Sequence, residues 1–215
     1  SKESNRPKVR YIEGKSMNSI WVNQSLGVDP ATGYELFQAV NGDIVTTWST
    51  DNYVIGGCTD SDLEGTFGTN LAWKGFQLNA IFRYNYGGQV YNQTLVDKVQ
   101  DADLRENVDR RVFEDRWQKP GDKVMFTRLI GGATANVTSV TKPTSRFVED
   151  NNWLELSTLN VSYEFKMDWM KKVGLKRLKA LFYMNDVFRV STVKQERGID
   201  YPFARNFSIG LQARF

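Results

Sequence analysis

The final thirteen residues alternate between two kinds of side chain. Odd positions are apolar or aromatic apart from one arginine: Phe203, Arg205, Phe207, Ile209, Leu211, Ala213 and Phe215. Even positions are small or polar: Ala204, Asn206, Ser208, Gly210, Gln212 and Arg214. Because successive side chains of a strand point to opposite faces, the pattern predicts a strand with one apolar face. Since roughly 9–11 residues cross a bilayer as a tilted strand, the segment is typical of a membrane-spanning strand. An ordinary strand of a soluble sandwich is the alternative.

Further segments repeat this alternation. Their apolar positions are Phe67, Thr69, Leu71 and Trp73; Phe76, Leu78, Ala80, Phe82, Tyr84 and Tyr86; Leu159, Val161, Tyr163 and Phe165; and Leu178, Ala180, Phe182 and Met184. Residues 17–26 form a weaker candidate, so about six long strands are predicted. The link Trp73-Lys74-Gly75-Phe76 is short enough for a tight hairpin. Long alternating strands joined in this way favour an all-β, antiparallel transmembrane barrel.

The connections between these strands are unequal in length. Lys74-Gly75 and residues 166–176 are short, whereas residues 27–64 and 87–152 are long. Outer-membrane barrels have short periplasmic turns and long extracellular loops. Counting back from the final strand places the short links inside and the long ones outside.

The long connections carry local signals of their own. Residues 29–33 (Asp-Pro-Ala-Thr-Gly) are a turn signal. Apolar residues in 95–117 recur at roughly helical spacing, which predicts short amphipathic helices that pack an external loop. Residues 131–142 are small and rich in Thr, Val and Ala, and we interpret them as loop.

Composition narrows the function classes. The chain of 215 residues has no histidine and one cysteine, Cys58, which excludes an internal disulfide, histidine metal sites and His-dependent catalytic triads. A net charge of +3 with scattered basic residues does not indicate a nucleic-acid partner. Paired carboxylates such as Asp60 and Glu64 occur, but among 25 acidic residues such a pair carries no weight. We therefore expect no enzyme activity, no cofactor and no metal.

Aromatic side chains gather at the predicted strand ends. Trp73, Phe165, Trp169 and Phe215 fall at the inner ends; Tyr84, Tyr86, Trp153 and Phe203 fall at the outer ends. Such rings favour the membrane interface, although packing in a soluble core is the alternative. Three more rings, Trp48, Tyr53 and Trp117, fall in loops. There they are candidates for extracellular ligand contact, because aromatic rings can stack on sugars. The alternative is that they stabilise the conformation of the loops.

Several phrases resemble SusC-like (SusC/RagA family) TonB-dependent outer-membrane transporters. They follow the family's order from about residue 11 to the end, and they include Arg116-Trp117 with Pro120-Gly121-Asp122, Ser145-Arg146-Phe147-Val148-Glu149-Asp150, Asn185-Asp186-Val187-Phe188, and Tyr201-Pro202 with Phe207-Ser208-Ile209-Gly210-Leu211 and Phe215. Gly27-Val28-Asp29-Pro30 and Phe67-Gly68-Thr69-Asn70-Leu71 match further upstream. Each phrase is weak alone, but their order and spacing make the resemblance strong.

The resemblance implies that residues 1–215 are the C-terminal part of such a transporter, about the last six strands of a barrel of about 22. The plug domain and the earlier strands would lie outside this chain, so no energy-coupling residue can be assigned. The implied function is import of oligosaccharides or peptides across the outer membrane of a Gram-negative bacterium. The implied partners are the remaining barrel and plug segments, a SusD-like surface lipoprotein, TonB, the barrel-assembly machinery and membrane lipid.

Alternation and resemblance together predict roles for individual residues. The expected membrane-facing or girdle residues are Trp73, Phe76, Phe82, Tyr84, Tyr163, Phe165, Phe207 and Phe215. The expected lumen-facing or plug-facing residues are Asn79, Arg83, Asn160, Asn206 and Gln212. Phe215 with its alternating neighbours would also form the signal for barrel assembly.

Two other classes of function remain open at this point. The first is a self-contained β-rich ligand-binding domain or small outer-membrane barrel without transport activity, although about eight strands are the usual minimum for a barrel. The second is an enzyme such as a surface glycosidase.

Overall fold

The computed structural model of the protein describes residues 5–105, 107–129, 141–167, 170, 174–194 and 205–215. The chain divides into two units. The first holds the described residues of Ser1–Asp60, Gly88–Asp150 and Val193–Asp200; the second holds those of Ser61–Gly87, Asn151–Thr192 and Tyr201–Phe215. The predicted girdle positions Trp169 and Phe203 lie outside the described residues, as does most of the predicted loop 131–142.

The strands of the described residues, in chain order, are β1 (Ser19–Val28), β2 (Glu35–Gln38), β3 (Ile44–Val45), β4 (Tyr53–Cys58), β5 (Leu63–Trp73), β6 (Phe76–Tyr86), β7 (Gln89–Tyr91), β8 (Val148–Asp150), β9 (Trp153–Phe165), β10 (Arg177–Ser191) and β11 (Phe207–Arg214). The second unit is one antiparallel sheet in the order β11-β10-β9-β6-β5. Five of the six predicted long strands therefore lie side by side. The described part of the last strand begins at Phe207, not at Phe203.

The tight hairpin predicted between β5 and β6 is present. Lys74 and Gly75 both have positive φ, 45° and 91°, and Trp73 pairs with Phe76 across the turn. Two central residues with positive φ define a type I′ turn, whose twist matches that of the flanking strands. The turn also docks on the neighbouring strand, because the Glu164 N–H donates to the Gly75 carbonyl at 2.8 Å.

Gly75→Ala should destabilise this hairpin by about 1–2 kcal/mol, because a side chain at positive φ is strained. The new Cβ would also lie 2.7 Å from the main-chain oxygen of Glu164. The measurement is the midpoint of heat-induced unfolding of the membrane-extracted protein in detergent. Lys74→Asn is the control, since asparagine favours the first position of this turn. An unchanged midpoint for Gly75→Ala would contradict the assignment.

Strand register sorts the side chains of the second unit onto two faces. Phe67 pairs with Phe82, Phe76 with Tyr163, and Phe182 with Ile209. Paired residues share a face, so the apolar positions of all five strands form one continuous surface. Its members are Leu63, Phe67, Leu71, Trp73, Phe76, Leu78, Ala80, Phe82, Tyr84, Tyr86, Leu154, Leu156, Leu159, Val161, Tyr163, Phe165, Leu178, Ala180, Phe182, Met184, Phe188, Val190, Phe207, Ile209, Leu211 and Ala213.

This apolar face is exposed. Ile209 and Leu211 expose 73% and 75% of their surface, and Trp73 exposes 71%. In a soluble sandwich these side chains would be buried against a second sheet. The exposure of β11 and of the hairpin within this chain favours a transmembrane wall over a soluble sandwich for this sheet.

A bulge in β9 keeps the two faces sorted. Thr158 pairs with Ile81 and Leu156 with Phe82, which leaves Ser157 as an extra residue. The apolar positions of β9 are therefore even-numbered before Ser157 and odd-numbered after it. The ladder between β9 and β10 is irregular at the same level, where Asp186 has a φ of 48°.

The first unit corrects two expectations. Residues 17–26 do form a strand, β1, but it pairs with β2 and β4 in a separate sheet of order β3-β2-β1-β4. The predicted long connection 27–64 is likewise not an open loop, because it supplies β2, β3 and β4 to that sheet. A further pair, β7 with β8, belongs to the same unit.

The second long connection contains the predicted short helices. They are Gln93–Leu95, Val96–Gln100 and Arg111–Glu114. Their apolar residues Leu95, Val96, Val99 and Val112 form a buried cluster with Phe126 and Phe147. In the described part of the chain, no helix has the length and apolar character needed to cross a membrane.

Candidate functional site

The face of the second unit opposite the apolar surface is polar, and amide side chains run across it. The Asn79 amide donates to Asn70 Oδ1 at 2.5 Å, and the Asn160 amide donates to Asn79 Oδ1 at 3.3 Å. The ladder crosses β5, β6 and β9 at one level. It leaves a row of hydrogen-bonding groups in the middle of this face.

Beside the ladder lies a cavity of about 560 Å³. One row of its lining is Gln77, Ser162 and Lys179: the Ser162 hydroxyl and the Lys179 ammonium donate to Gln77 Oε1 at 3.3 and 3.0 Å. Gln212 continues this row, because it pairs with Lys179. Tyr183 and Leu181 add an aromatic and an aliphatic surface to the lining. The cavity thus offers hydrogen bonds and apolar contact to a flexible polar ligand or to another protein segment.

Near the opposite end of the same face, a tryptophan lies between two arginines. The guanidinium carbons of Arg189 and Arg83 lie 4.4 and 5.9 Å from the centre of the Trp153 ring. Arg189 also pairs with Glu155 at 3.7 Å. Two cations on one indole are mutually repulsive unless an anion is near, and Glu155 supplies that anion.

The structure separates the predicted site residues as follows. Trp73, Phe76, Phe82, Tyr84, Tyr163, Phe165 and Phe207 all lie on the apolar face. The polar face carries Asn79, Arg83, Asn160 and Gln212. Asn206 lies just before β11, at an even-numbered position like the polar residues of that strand. Phe215 lies just after β11, at an odd-numbered position like the apolar residues of that strand, and its side chain is exposed.

Sequence reasoning missed several residues of the polar face. Asn70, Gln77 and Lys179 were not singled out, although pairing across the hairpin places Asn70 opposite Asn79. The grouping of Trp153 with the outer girdle is wrong. The register puts Trp153 opposite Asn85 on the polar face, because the bulge at Ser157 reverses the parity.

The three loop aromatics belong to the first unit, where each packs against its own surroundings. Trp48 donates from Nε1 to the Pro143 carbonyl at 3.0 Å and meets Tyr53 edge-on at 5.5 Å between ring centres. Trp117 donates to the Pro30 carbonyl at 2.9 Å. These contacts agree with a role in fixing the loops.

The motif that begins with Arg116 anchors a loop. The buried Arg116 guanidinium donates to the carbonyls of Val99, Gln100, Val112 and Thr127 at 2.6–3.0 Å. Burial lowers the pKa of Arg116, while four carbonyl acceptors satisfy its donors. Trp117 and the Gly121 N–H both reach the Pro30 carbonyl, so this motif holds the 29–33 turn in place.

That turn is itself closed by its aspartate. The Thr32 hydroxyl and the Ala31 N–H donate to the Asp29 carboxylate at 2.6 and 3.0 Å. These two hydrogen bonds lower the pKa of Asp29. The Gly33 N–H then donates to the Asp29 carbonyl at 2.8 Å, which confirms the predicted turn.

Gly33→Ala should destabilise this loop more than Gly42→Ala does. Both glycines have positive φ, 74° and 92°, but a Cβ at Gly33 would lie 2.5 Å from the Trp117 ring and one at Gly42 would meet nothing within 4 Å. The shared backbone strain costs about 1–2 kcal/mol, and overpacking adds about 1–3 kcal/mol at Gly33 alone. Hydrogen exchange of the Gly121 amide, which donates to the Pro30 carbonyl in this loop and is present in both variants, measures the difference. Equal exchange in the two variants would refute the contact with Trp117.

The second motif, at 145–147, contains a buried ion pair. Arg146 donates from Nη2 and Nε to the two carboxylate oxygens of Glu35 at 2.8 and 3.2 Å, and the side chains expose only 7% and 8% of their surface. Thr144 adds a hydrogen bond to Glu35 at 2.6 Å. The phrases that carry the family resemblance in this unit are therefore structural.

Long antiparallel strands with an exposed apolar face and a polar opposite face are the arrangement of a transmembrane barrel wall. Across the described residues, no group of three or more Cys, Asp or Glu is placed to hold a metal ion. The candidate site is thus a polar surface that can make hydrogen-bonded contacts.

Comparison with known proteins gives the same class. The chain is 28% identical to TonB-dependent receptor P39 of Formosa agariphila over 198 residues, 84% of this chain and 18% of that protein. It is 26% identical to TonB-dependent receptor P3 of the same bacterium over 222 residues, 89% of this chain and 20% of that protein. No family model matches the chain. The chain is thus related in sequence to TonB-dependent receptors, and it spans about a fifth of the length of these curated relatives.

Solved structures show the same fold. The chain superimposes on the RagAB peptide importer in its open-open state with a TM-score of 0.68 at 17% identity, covering 92% of this chain and 22% of that one. A second structure of the RagAB peptide transporter gives a TM-score of 0.61 at 15% identity, covering 81% and 19%. The predicted all-β class is confirmed at the level of a mostly β structure that matches about a fifth of the importer chain. Relatives named as receptors and importers also agree with the expectation of no enzyme activity.

Proposed function

We propose that this chain is part of the wall of an outer-membrane TonB-dependent importer of the SusC type, in a Gram-negative bacterium. The observation that carries the proposal is the register of the second unit, which places most aromatic and aliphatic side chains of five strands on one face and the asparagines and glutamines on the other, with Thr69, Ile81, Trp153, Leu181 and Tyr183 among the exceptions. A wall between lipid and water needs both faces in this form, and the apolar face is also exposed. The sequence relatives named as TonB-dependent receptors support it.

In this proposal each face has one environment. Trp73, Phe76, Phe82, Tyr84, Tyr163, Phe165, Phe207 and Phe215 contact lipid, with the rings at the strand ends forming the girdles. Asn79, Arg83, Asn160, Asn206 and Gln212 face the lumen or the plug. Trp48, Tyr53 and Trp117 belong to the extracellular part, where their packing shapes the surface that meets substrate.

The remaining parts of the proposal come from the resemblance. A barrel of about 22 strands needs further strands on both free edges of the sheet, β5 and β11, because unpaired edges are not stable in lipid. The other partners are a plug, TonB acting through it, a SusD-like surface lipoprotein and the assembly machinery that reads Phe215. Substrates are oligosaccharides or peptides, and the RagAB structures, named as peptide importers, support the second class.

An uptake assay tests the function. Cells that lack the gene should lose import of one class of fluorescent probe, short peptides or oligosaccharides, and regain it with the intact gene. Import should stop when the proton-motive force is dissipated, since the proposed mechanism depends on TonB. Binding of probe at the cell surface without uptake would instead support a receptor without transport activity. Hydrolysis of glycan by the purified protein would instead support the hypothesis that it is an enzyme.

A further inference from the structure

Charge is distributed unequally between the two ends of the five-stranded sheet. The end with the Lys74-Gly75 turn carries one described carboxylate side chain, Glu164, and these basic residues: Lys74, Lys166, Lys176, Arg177, Lys179 and Arg214. The opposite end is nearly balanced, with Asp62, Glu64, Glu155 and Asp186 against Arg83, Arg189 and Arg205. The turn end is therefore strongly positive. We call its residues Lys74, Lys166, Lys176, Arg177 and Arg214 the basic rim.

Main-chain hydrogen bonds bring the basic rim together. The Lys176 N–H donates to the Arg214 carbonyl at 2.8 Å, and Arg177 lies directly opposite Arg214 in the register. Glu164 joins the rim to the hairpin turn through its bond to Gly75. The basic side chains thus lie along one edge of one sheet, not scattered over the surface.

Glu164, the one carboxylate side chain that the structure describes at this end, does not balance the rim. It accepts from Arg177 at 2.5 Å and also interacts electrostatically with Lys166 and Lys179, so one negative charge is shared among several basic residues. The Lys176 ammonium donates to a main-chain oxygen of Phe215 at 3.2 Å.

Like charges in directly opposed positions destabilise a sheet. Arg177 and Arg214 lie on the polar face together with Lys179 and Gln212. An anion near Lys74 and Lys176 would therefore lower the net positive charge of the rim without contacting that pair.

The location of the rim identifies the anion. Lys74 lies with its ammonium 5.1 Å from the centre of the Trp73 ring, and that ring is among the most exposed on the apolar face. Exposed tryptophan at the edge of an apolar band marks the level of lipid headgroups. Lys176 is even-numbered, like the apolar residues Leu178 and Ala180 that follow it. Because alternate residues of a strand share a face, Lys176 also lies on the lipid side. The nearest anions at that level are headgroup phosphates.

We propose that the basic rim binds the phosphate of anionic phospholipids in one leaflet, with Lys74 and Lys176 as direct contacts and Trp73 packed at the headgroup level. The inference rests on the proposed membrane location of the sheet, but not on import. Near an anionic surface each basic residue contributes roughly fivefold in affinity, from about 1 kcal/mol per residue.

The test is a lipid titration of the protein purified from outer membranes in detergent. Phosphatidylglycerol and phosphatidylcholine with the same acyl chains are the probes, and native mass spectrometry counts the bound lipids. We expect a preference for phosphatidylglycerol of about 25-fold from the two direct contacts, which Lys74→Gln with Lys176→Gln abolishes. Lys74→Arg with Lys176→Arg keeps the charges and should keep the preference.

Lys119→Gln with Lys123→Gln is the matched control. It removes the same charge from exposed lysines of the first unit and should leave the preference intact. Absence of any preference in the natural protein, or an equal loss in this control, would overturn the inference. Displacement of phosphatidylglycerol by millimolar inorganic phosphate would also overturn it, since the site would then take a soluble anion. If uptake were intact but the lipid preference were absent, this inference would fail while the proposed import function would stand.

Discussion

Ile209→Lys will strongly reduce the amount of this protein in the outer membrane. Ile209 lies near the middle of β11, pairs with Phe182 and exposes 73% of its surface on the apolar face. A lysine on the lipid face near the bilayer midplane costs about 2–4 kcal/mol. The measurement is the quantity of protein in outer-membrane fractions, together with the midpoint of heat-induced unfolding of what is inserted.

Ser208→Lys is the matched control for this experiment. Ser208 is the adjacent residue of the same strand and faces the polar side opposite Tyr183. The same ammonium there remains in water, so insertion should be close to that of the natural protein. Equal effects of the two lysines would show that the two faces of β11 do not differ in environment, and the proposed location would fail.

Arg146→Met will unfold or loosen the first unit, with an expected loss of about 3–5 kcal/mol in its free energy of unfolding. The substitution leaves the Glu35 carboxylate buried without its cation, with Thr144 as the remaining hydrogen-bond donor that the structure shows. Glu35→Met with Arg146→Met should be milder, because it removes both charges and refills the volume. Hydrogen exchange of β1 and β2 measures the loss directly.

Arg110→Met is the control for the buried pair. Arg110 pairs with Glu114 at 2.7 Å one helical turn away, but its side chain is 84% exposed. Exposed pairs of this kind contribute about 0–1 kcal/mol. If Arg110→Met cost as much as Arg146→Met, burial would not be the source of the effect.

The alternation of single segments was enough to predict most of the second unit. The hairpin at Lys74-Gly75 follows from its two-residue link, and the apolar faces of β5, β6, β10 and β11 follow from the twofold repeat. These features are local, because the parity of a strand and the length of a turn can be read from adjacent residues. Which strands pair with one another cannot be read from adjacent residues, so the strand order is known only from the structure.

The failures have equally specific causes. β2 and β3 contain four and two residues, too few for an alternation to be visible, so the sheet in the first long connection was missed. The predicted start of β9 was too late, because the bulge at Ser157 hides Leu154 and Leu156 from a search by strict parity. The same bulge reversed the expected face of Trp153.

The polar face was predictable only in part. Asn79 and Asn160 were identified from parity, yet their partner Asn70 and the cluster of Trp153 with two arginines depend on register across three strands. In the first unit, the buried contacts of Arg116 and Arg146 join segments up to 111 residues apart. No pattern within a short window shows such contacts.

The extra residue at Ser157 has a consequence for how this lineage can change length. On either side of it the ladder with β6 is regular; Ser157 is skipped in that register, although its hydroxyl donates to the Ile81 carbonyl at 3.0 Å. Deleting that one position would leave Leu156 followed directly by Thr158, a strict alternation that keeps the residues of β9 paired with β6 on their present faces. The strand can therefore lose one residue at this level, whereas the same deletion elsewhere in β9 would move the residues on one side of it to the opposite face.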